Sequence, residues 1–292
     1  MSFNSIDDCD IQEVSPIKYK NIKHFDLNSI KIGRTTPFIL VIGPRCCGKS
    51  YLISNIAKSL IENNSIDNLV YFSCKQEENT IKYSDEILQQ IIDYQVKRVL
   101  DAREKNEHEP SLLLIFDDIH KINLQFVMDQ RHFRMSCIVS MQYPIGLPPE
   151  IRCCADYIFI FRQFYMLNIK KLYNDYCGMF RSLNEFIQVM NKCTNNYNTL
   201  VVSKSYESKC YKYINNIYDP HFNLFDKVNI LDYKQIDNNQ NNDPKYIRMN
   251  IIMKMIELNK NILSNISENS LDELIIMEHI IDCNKIIYNK LV

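Results

Sequence analysis

No stretch of this 292-residue chain approaches the roughly 20 consecutive apolar residues of a membrane-spanning helix. No charge sign dominates either: 34 Lys and Arg against 35 Asp and Glu leave a net charge of −1, so no overall basic field advertises nucleic acid and any such contact must be local. Tryptophan is missing, and the 11% aromatic content is all Tyr and Phe. The six His are dispersed and the eleven Cys contain no C-x-x-C spacing, which argues against a structural zinc site and a disulfide framework. Four of those Cys form the adjacent pairs Cys46-Cys47 and Cys153-Cys154, and the thiols read as reduced in a cytosol-like compartment. Met1–Asp10 is polar and acidic, without the charged n-region and apolar h-region of a signal peptide. No internal repeat is evident.

What is present is organised around one stretch. Glycine is scarce, five residues in all, and two of them, Gly43 and Gly48, frame a loop that follows the apolar run Phe38-Ile39-Leu40-Val41-Ile42. The segment Gly43-Pro44-Arg45-Cys46-Cys47-Gly48-Lys49-Ser50 has the spacing of a phosphate-binding P-loop. Leu52, Ile53, Ile56, Ala57, Leu60 and Ile61 follow at helical spacing, so the motif stands in the strand–loop–helix context it requires. The expectation for Gly43 is a strand exit that a Cβ would oppose, and for Gly48 a close approach of backbone to phosphate. Successive N–H groups would then form an anion nest at a helix N-terminus. Lys49 would reach the β- and γ-phosphates, and the Ser50 hydroxyl would ligate Mg2+. The ligand so implied is a nucleoside triphosphate, ATP.

The rest of the chain reads as alternating strands and helices. Strands are expected at Asn68 to Ser73, Leu112 to Asp118, Ser136 to Gln142 and Asp156 to Phe161, with an amphipathic helix from a Ser84 start and an acidic first turn at Asp85-Glu86. The unbroken apolar character of Leu112 to Phe116 suits a parallel strand covered on both faces. This pattern predicts an α/β fold, a three-layer sandwich on a mostly parallel sheet. Leu167 to Tyr176 and Ser182 to Cys193 read as helices separated by Gly178 as a cap, and Asn198 to Ser203 as a late strand that could pair with Cys210 to Ile214 as an edge hairpin. The expected divisions are a flexible lead-in over 1–24, a P-loop ATPase domain over 25–236, a polar linker over 237–244 and a helical C-terminal tail over 245–292.

Paired acids decide what a bound triphosphate undergoes. At the end of their strand, Asp117 would orient magnesium-bound water and Asp118 would polarise an attacking water; the competing reading is an Asx turn closing a buried strand. Gln142, ending the next strand, could sense the terminal phosphate through its amide. Hydrolysis in a ring also needs a positive charge from a neighbouring subunit. The candidates are Arg131, Arg134 and Arg152, each of which could equally be a solvated surface group. Lys75 and Lys82 could contact DNA phosphates or simply line a solvated loop.

Taken together, the P-loop, Leu113 to Asp118, Gln130-Arg131-His132, Met141-Gln142-Tyr143-Pro144 with Gly146, Pro148-Pro149-Glu150-Ile151-Arg152, and Tyr176-Cys177-Gly178-Met179-Phe180 with Phe186 and Val189-Met190 resemble the genome-packaging ATPases of nucleocytoplasmic large DNA viruses. The resemblance runs from about Phe38 to Val202 and places the chain beside the FtsK–HerA superfamily. It implies strand order 5-1-4-3-2, catalytic roles for Lys49, Asp118, Gln142, Arg131 and Arg152, and Mg2+ held by Ser50 and Asp117. It further implies double-stranded DNA, a homo-oligomeric ring and a capsid or procapsid portal-like component as partners, with action at the viral assembly site in the host cytoplasm or in the virion. Two departures stand out: Asp118 is a methylene shorter than the Glu of many related hydrolases, and Gln130 replaces a common Gly. The function expected is ATP-driven translocation of viral DNA into the capsid. A helicase-like ATPase and a nucleotide-dependent assembly scaffold are the alternatives.

Overall fold

Five consecutive apolar residues without alternation, Phe38–Ile42, form β1, and all five are buried because neighbours cover both faces of the strand. The computed structural model describes residues 22–30, 36–64, 66–73, 79–119, 122–143, 147–204, 209–213, 224–226 and 228–231. The expected linker and C-terminal tail lie outside the described residues, as does nearly all of the lead-in.

Next along the chain come α1 (Lys49–Asn64), β2 (Asn68–Ser73), β3 (Ile81–Lys82), α2 (Asp85–Lys105), β4 (Leu112–Asp117) and β5 (Met135–Met141). They are followed by α3 (Pro149–Cys154), β6 (Tyr157–Ile160), α4 (Met166–Tyr176), α5 (Leu183–Cys193), β7 (Thr199–Ser203), β8 (Lys209–Tyr213) and β9 (Asn229–Ile230). Among the described residues they build one mixed sheet in the order β3-β2-β4-β5-β1-β6-β7-β8, with β9 beside β2. The five core strands β6, β1, β5, β4 and β2 are parallel and stand in the expected order 5-1-4-3-2. β7 joins β6 antiparallel, and β8 pairs with β7 as the edge hairpin. The sheet reaches slightly further back than expected: Phe25 N donates to Lys212 O at 2.9 Å and Lys212 N to Lys23 O at 2.9 Å, so residues 23–25 extend it beyond β8.

The residues that α1 presents at helical spacing, Leu52, Ile53, Ile56, Ala57 and Leu60, are buried in one cluster with Ile39, Val41, Leu113, Ile115 and Ile138, the alternate residues of three adjacent strands. Each Leu, Ile or Val among them contributes about 1.5–3 kcal/mol on full burial. The cluster fixes the helix that opens the P-loop onto the centre of the sheet. α5 packs on β7 and β8 and buries Phe186, Val189 and Met190. Flanking helices on a mostly parallel sheet are the P-loop α/β class that the sequence pattern implied.

Caps follow local chemistry. Ser84 Oγ accepts from Ile87 N at 3.2 Å to open α2, and Asn106 closes it in the left-handed region at φ 55°. Within α2, Gln89 Nε2 donates to Asp93 Oδ1 at 2.8 Å, one turn on. Gly178 is not the cap of α4: Cys177 closes that helix, its N–H donating to Tyr173 O at 3.2 Å, and with φ −121° it needs no glycine.

Candidate functional site

The loop between β1 and α1 leaves the sheet beside the end of β5, where Gly43 N donates to Met141 O at 3.0 Å. Gly43 itself is not left-handed; space is what excludes a side chain. A Cβ there would lie 2.6 Å from Cys47 Sγ and 2.7 Å from Phe161 Cβ. The left-handed positions in the loop are Cys46 at φ 57° and Gly48 at φ 97°, and they curl the backbone into a concavity that suits an anion. Leu52 N donates to Gly48 O at 3.0 Å, so the amides that precede it in the first turn of α1 are those that helix geometry leaves for a phosphate.

Lys49 is only 5% exposed. Its Nζ donates to Pro44 O at 3.0 Å and stands 3.5 Å from Asp118 Oδ1, so the loop's ammonium and the second acid already face one another. Burial pushes the Cys47 thiol up to about 11, with the Lys49 charge opposing only in part, which leaves a neutral thiol behind the loop at neutral pH.

The pairing of β4 with β5 and β2 brings Ser140 and Tyr71 to Asp117, and the start of α1 adds Ser50. Ser50 Oγ donates to Asp117 Oδ2 at 2.8 Å, Tyr71 OH donates to the same oxygen at 3.1 Å, and Ser140 Oγ donates to Oδ1 at 2.6 Å. A carboxylate that accepts from three hydroxyls is held in one orientation. Asp118 turns left-handed at φ 53°, and its N–H donates to Ser140 Oγ at 2.9 Å. The turn therefore separates the acids, one toward Ser50 and one toward Lys49.

Ser140 and Tyr71 were not among the residues singled out by sequence. Ser140 is one of two buried hydroxyls in a mostly apolar strand, Ser136 being the other, and only strand pairing shows which of them meets an acid. Gln142 comes one residue after β5, and its Oε1 accepts from Arg45 Nε at 3.1 Å, which sets its amide against the loop.

The arginine candidates lie elsewhere. Arg131 Nη2 donates to Asp156 Oδ1 at 2.6 Å, and the other oxygen of Asp156 accepts from Phe38 N at 2.8 Å. Arg152 Nη1 contacts Asp175 Oδ1 at 2.5 Å, with the guanidinium 5.9 Å from the centre of the Tyr176 ring. Arg134, at φ 56°, accepts the Leu112 N–H on its carbonyl at 3.0 Å. All three precede the starts of parallel strands, whereas the P-loop follows the end of one. A strand's length, roughly 13 Å for the four residues of β6 and roughly 23 Å for the seven of β5, therefore separates them from the Lys49 pocket of the same chain. Lys82 is exposed on β3, and Lys75 lies outside the described residues.

Beyond β6, at the P-loop end of the sheet, Phe164, Tyr165, Met166 and Leu167 are 75%, 74%, 51% and 81% exposed. Four consecutive apolar side chains in water form the kind of patch that partners cover.

Residues 35–131 match the family described as an AAA domain. The chain is 28% identical over 204 residues to the uncharacterized protein L437 of Acanthamoeba polyphaga mimivirus, covering 62% of this chain and 70% of that one. It is 29% identical over 210 residues to the uncharacterized protein 075L of Invertebrate iridescent virus 6, covering 63% of this chain and 80% of the other. Among solved structures it is similar to B204, the DNA-packaging ATPase from Sulfolobus Turreted Icosahedral Virus, at 17% identity and a TM-score of 0.46, over 62% of this chain and 100% of that one. Among the described residues no helix is long and apolar enough to cross a membrane.

Proposed function

We propose that this P-loop ATPase is the motor that drives double-stranded viral DNA into a capsid during virion assembly, acting as a homo-oligomeric ring on a capsid or procapsid portal-like component at the assembly site in the host cytoplasm. The observation that carries the reading is the junction at the ends of β1, β4 and β5. There the phosphate loop, the acid pair and the Gln142 amide meet within hydrogen-bonding reach. Packaging as the use of that hydrolysis is supported by the motif resemblance from Phe38 to Val202 and by relatives that are proteins of viruses.

The donor set fits a magnesium ion. The Ser50 hydroxyl spends its proton on Asp117 and keeps its lone pairs for a hard cation, and Asp117 offers carboxylate oxygen beside it. Ser50 and Asp117 would hold Mg2+, which would supply positive charge against the developing negative charge of the phosphates. The protein's own groups do the remainder. Lys49 exchanges Asp118 for the β- and γ-phosphates, and Asp118, freed of that ion pair, polarises the attacking water. Gln142 donates its amide toward the terminal phosphate while Arg45 holds its carbonyl.

Arg131 and Arg152, a strand's length from their own pocket, can serve catalysis only in a neighbouring subunit. The exposed Phe164–Leu167 run is apolar surface available for assembly.

The test is ATP hydrolysis by the full chain with no DNA, with linear double-stranded DNA and with forked single-stranded DNA. Duplex should stimulate turnover several-fold. Stimulation by the fork alone would make the protein helicase-like, and nucleotide binding without turnover would make it a scaffold.

A further inference from the structure

We propose that Ser140 is a positioning residue that yokes the two acids, one hydroxyl fixing the direction of both carboxylates. The inference rests on the reading of Asp117 as the metal-side acid and Asp118 as the water-side acid. Ser140 has no exposed surface and lies in β5, paired on one side with Val41 of β1. On the other side the registered pairing with β4 ends at Phe116 and Val139. One residue further, where the backbone ladder stops, the Ser140 side chain takes over.

A hydroxyl has one proton and two lone pairs, so the directions of its two bonds are settled. The Asp118 N–H can only donate, and it does so to Ser140 Oγ at 2.9 Å; the hydroxyl proton goes to Asp117 Oδ1 at 2.6 Å. The chain therefore runs from the amide of one acid through one oxygen to the carboxylate of the other, and each bond polarises the next.

Asp118 depends on this bond because its backbone is left-handed, at φ 53°, a region that residues bearing a side chain adopt uncommonly and that a local hydrogen bond favours. The tether holds the residue there, and the turn sends its carboxylate back to within 3.5 Å of Lys49 Nζ. Without the hydroxyl, Asp118 can relax toward an extended conformation that carries its carboxylate away from the loop. Asp117 keeps its bonds from Ser50 and Tyr71, but only on the other oxygen.

Ser140→Ala should leave nucleotide affinity measured without magnesium within about twofold of wild type, because the loop amides and the Lys49 charge remain and Lys49 must give up Asp118 for the phosphates in either case. Turnover should fall roughly ten- to hundredfold, the worth of a hydrogen bond to a charged group. The magnesium concentration for half-maximal binding of a fluorescent ATP analogue should rise several-fold, and Ser140→Thr, which restores the hydroxyl, should recover most of both. In an Asp118→Asn background, and at magnesium high enough to offset the loss at Asp117, adding Ser140→Ala should cost less than about threefold more, since the route through Asp118 is already lost. Should Ser140→Ala not fold, Ser140→Cys keeps the volume, weakens the donor and carries the same comparisons.

Equal losses in the Ala and Thr variants would overturn the proposal, as would a full multiplicative loss on top of Asp118→Asn. If Asp118→Asn itself turns over like wild type, the acid assignment fails and the proposal with it. A normal loss at Asp118→Asn with an additive Ser140→Ala defeats the proposal alone.

Discussion

Removing the Arg152 side chain should do two separable things, and Asp175 separates them. In its own subunit Arg152 forms an ion pair whose members are only 20% and 22% exposed, over the Tyr176 ring. A pair so placed exceeds the median surface bridge, at about 1–2 kcal/mol, and the ring contact adds about 0.5–1 kcal/mol. Arg152→Ala should therefore lower stability by roughly 2 kcal/mol, a fall in Tm of about 4–8 °C for a domain of this size. As an arginine finger it would also be worth on the order of 10³-fold in turnover, about 4 kcal/mol of transition-state binding. Asp175→Asn breaks the same ion pair but keeps the guanidinium. It should share most of the fall in Tm while turning over near the wild-type rate, because a finger must leave Asp175 anyway to reach a neighbour. Differential scanning fluorimetry and steady-state ATPase assays on both variants read the two effects apart. Mixing Arg152→Ala with Asp118→Asn subunits should restore activity, since an intact pocket can again face an intact arginine. If Asp175→Asn loses turnover as badly as Arg152→Ala, or mixed assemblies stay inactive, Arg152 only holds α3 against α4, and Arg131 becomes the candidate.

Other perturbations act at single contacts. Lys49→Ala should abolish tight ATP binding in a titration with a fluorescent analogue while leaving the circular dichroism spectrum unchanged, because its partners are Pro44 O and Asp118 and not the core. Gly43→Ala forces a Cβ to within 2.7 Å of Phe161 Cβ, which is anchored to the sheet, so it should cost about 1–3 kcal/mol in urea denaturation and weaken nucleotide binding; adding Cys47→Ala removes only one of the two clashes and should not rescue either. Asp67 is partly desolvated, but bonds from Ser111 N–H, Ser111 Oγ and His108 outweigh that and hold its carboxyl below the usual range. Its contribution is thus fully present above the ordinary Asp value and is lost as pH falls through the lowered one. Asp67→Asn should destabilise the protein at neutral pH, and the difference from wild type should shrink as the pH falls below the ordinary Asp range.

What could be read from sequence was local or covered by resemblance. The P-loop, the acid pair and the alternation of strands and helices are patterns within short windows, and the resemblance supplied the order of the five core strands. What escaped depended on contacts between windows. Ser140 and Tyr71 reach Asp117 only through the register of β5 and β2 against β4, which no single strand reveals. The reason for Gly43 is likewise a neighbour, Phe161, 118 residues on and brought close by the pairing of β1 with β6. Gly178 showed the opposite error: a residue type suggested a cap that the backbone of Cys177 had no need of. The arginines looked like free loop charges because their partners, Asp156 and Asp175, are recognisable as partners only in space.

The placement of β5 has a mechanical consequence. The phosphate loop and the acid pair belong to strands that never touch, and β5 is the rod laid between them, with Ser140 and Gln142 at its pocket end and the turn that bears Arg131 leading into the other. A hydrogen-bonded strand resists stretching, so its two ends keep their separation, about 23 Å at 3.3 Å for each of its seven residues. If Gln142 senses a terminal phosphate as proposed, it does so on the strand whose far end leads back to the Arg131–Asp156 pair, so one rigid element joins the proposed sensor to a candidate finger.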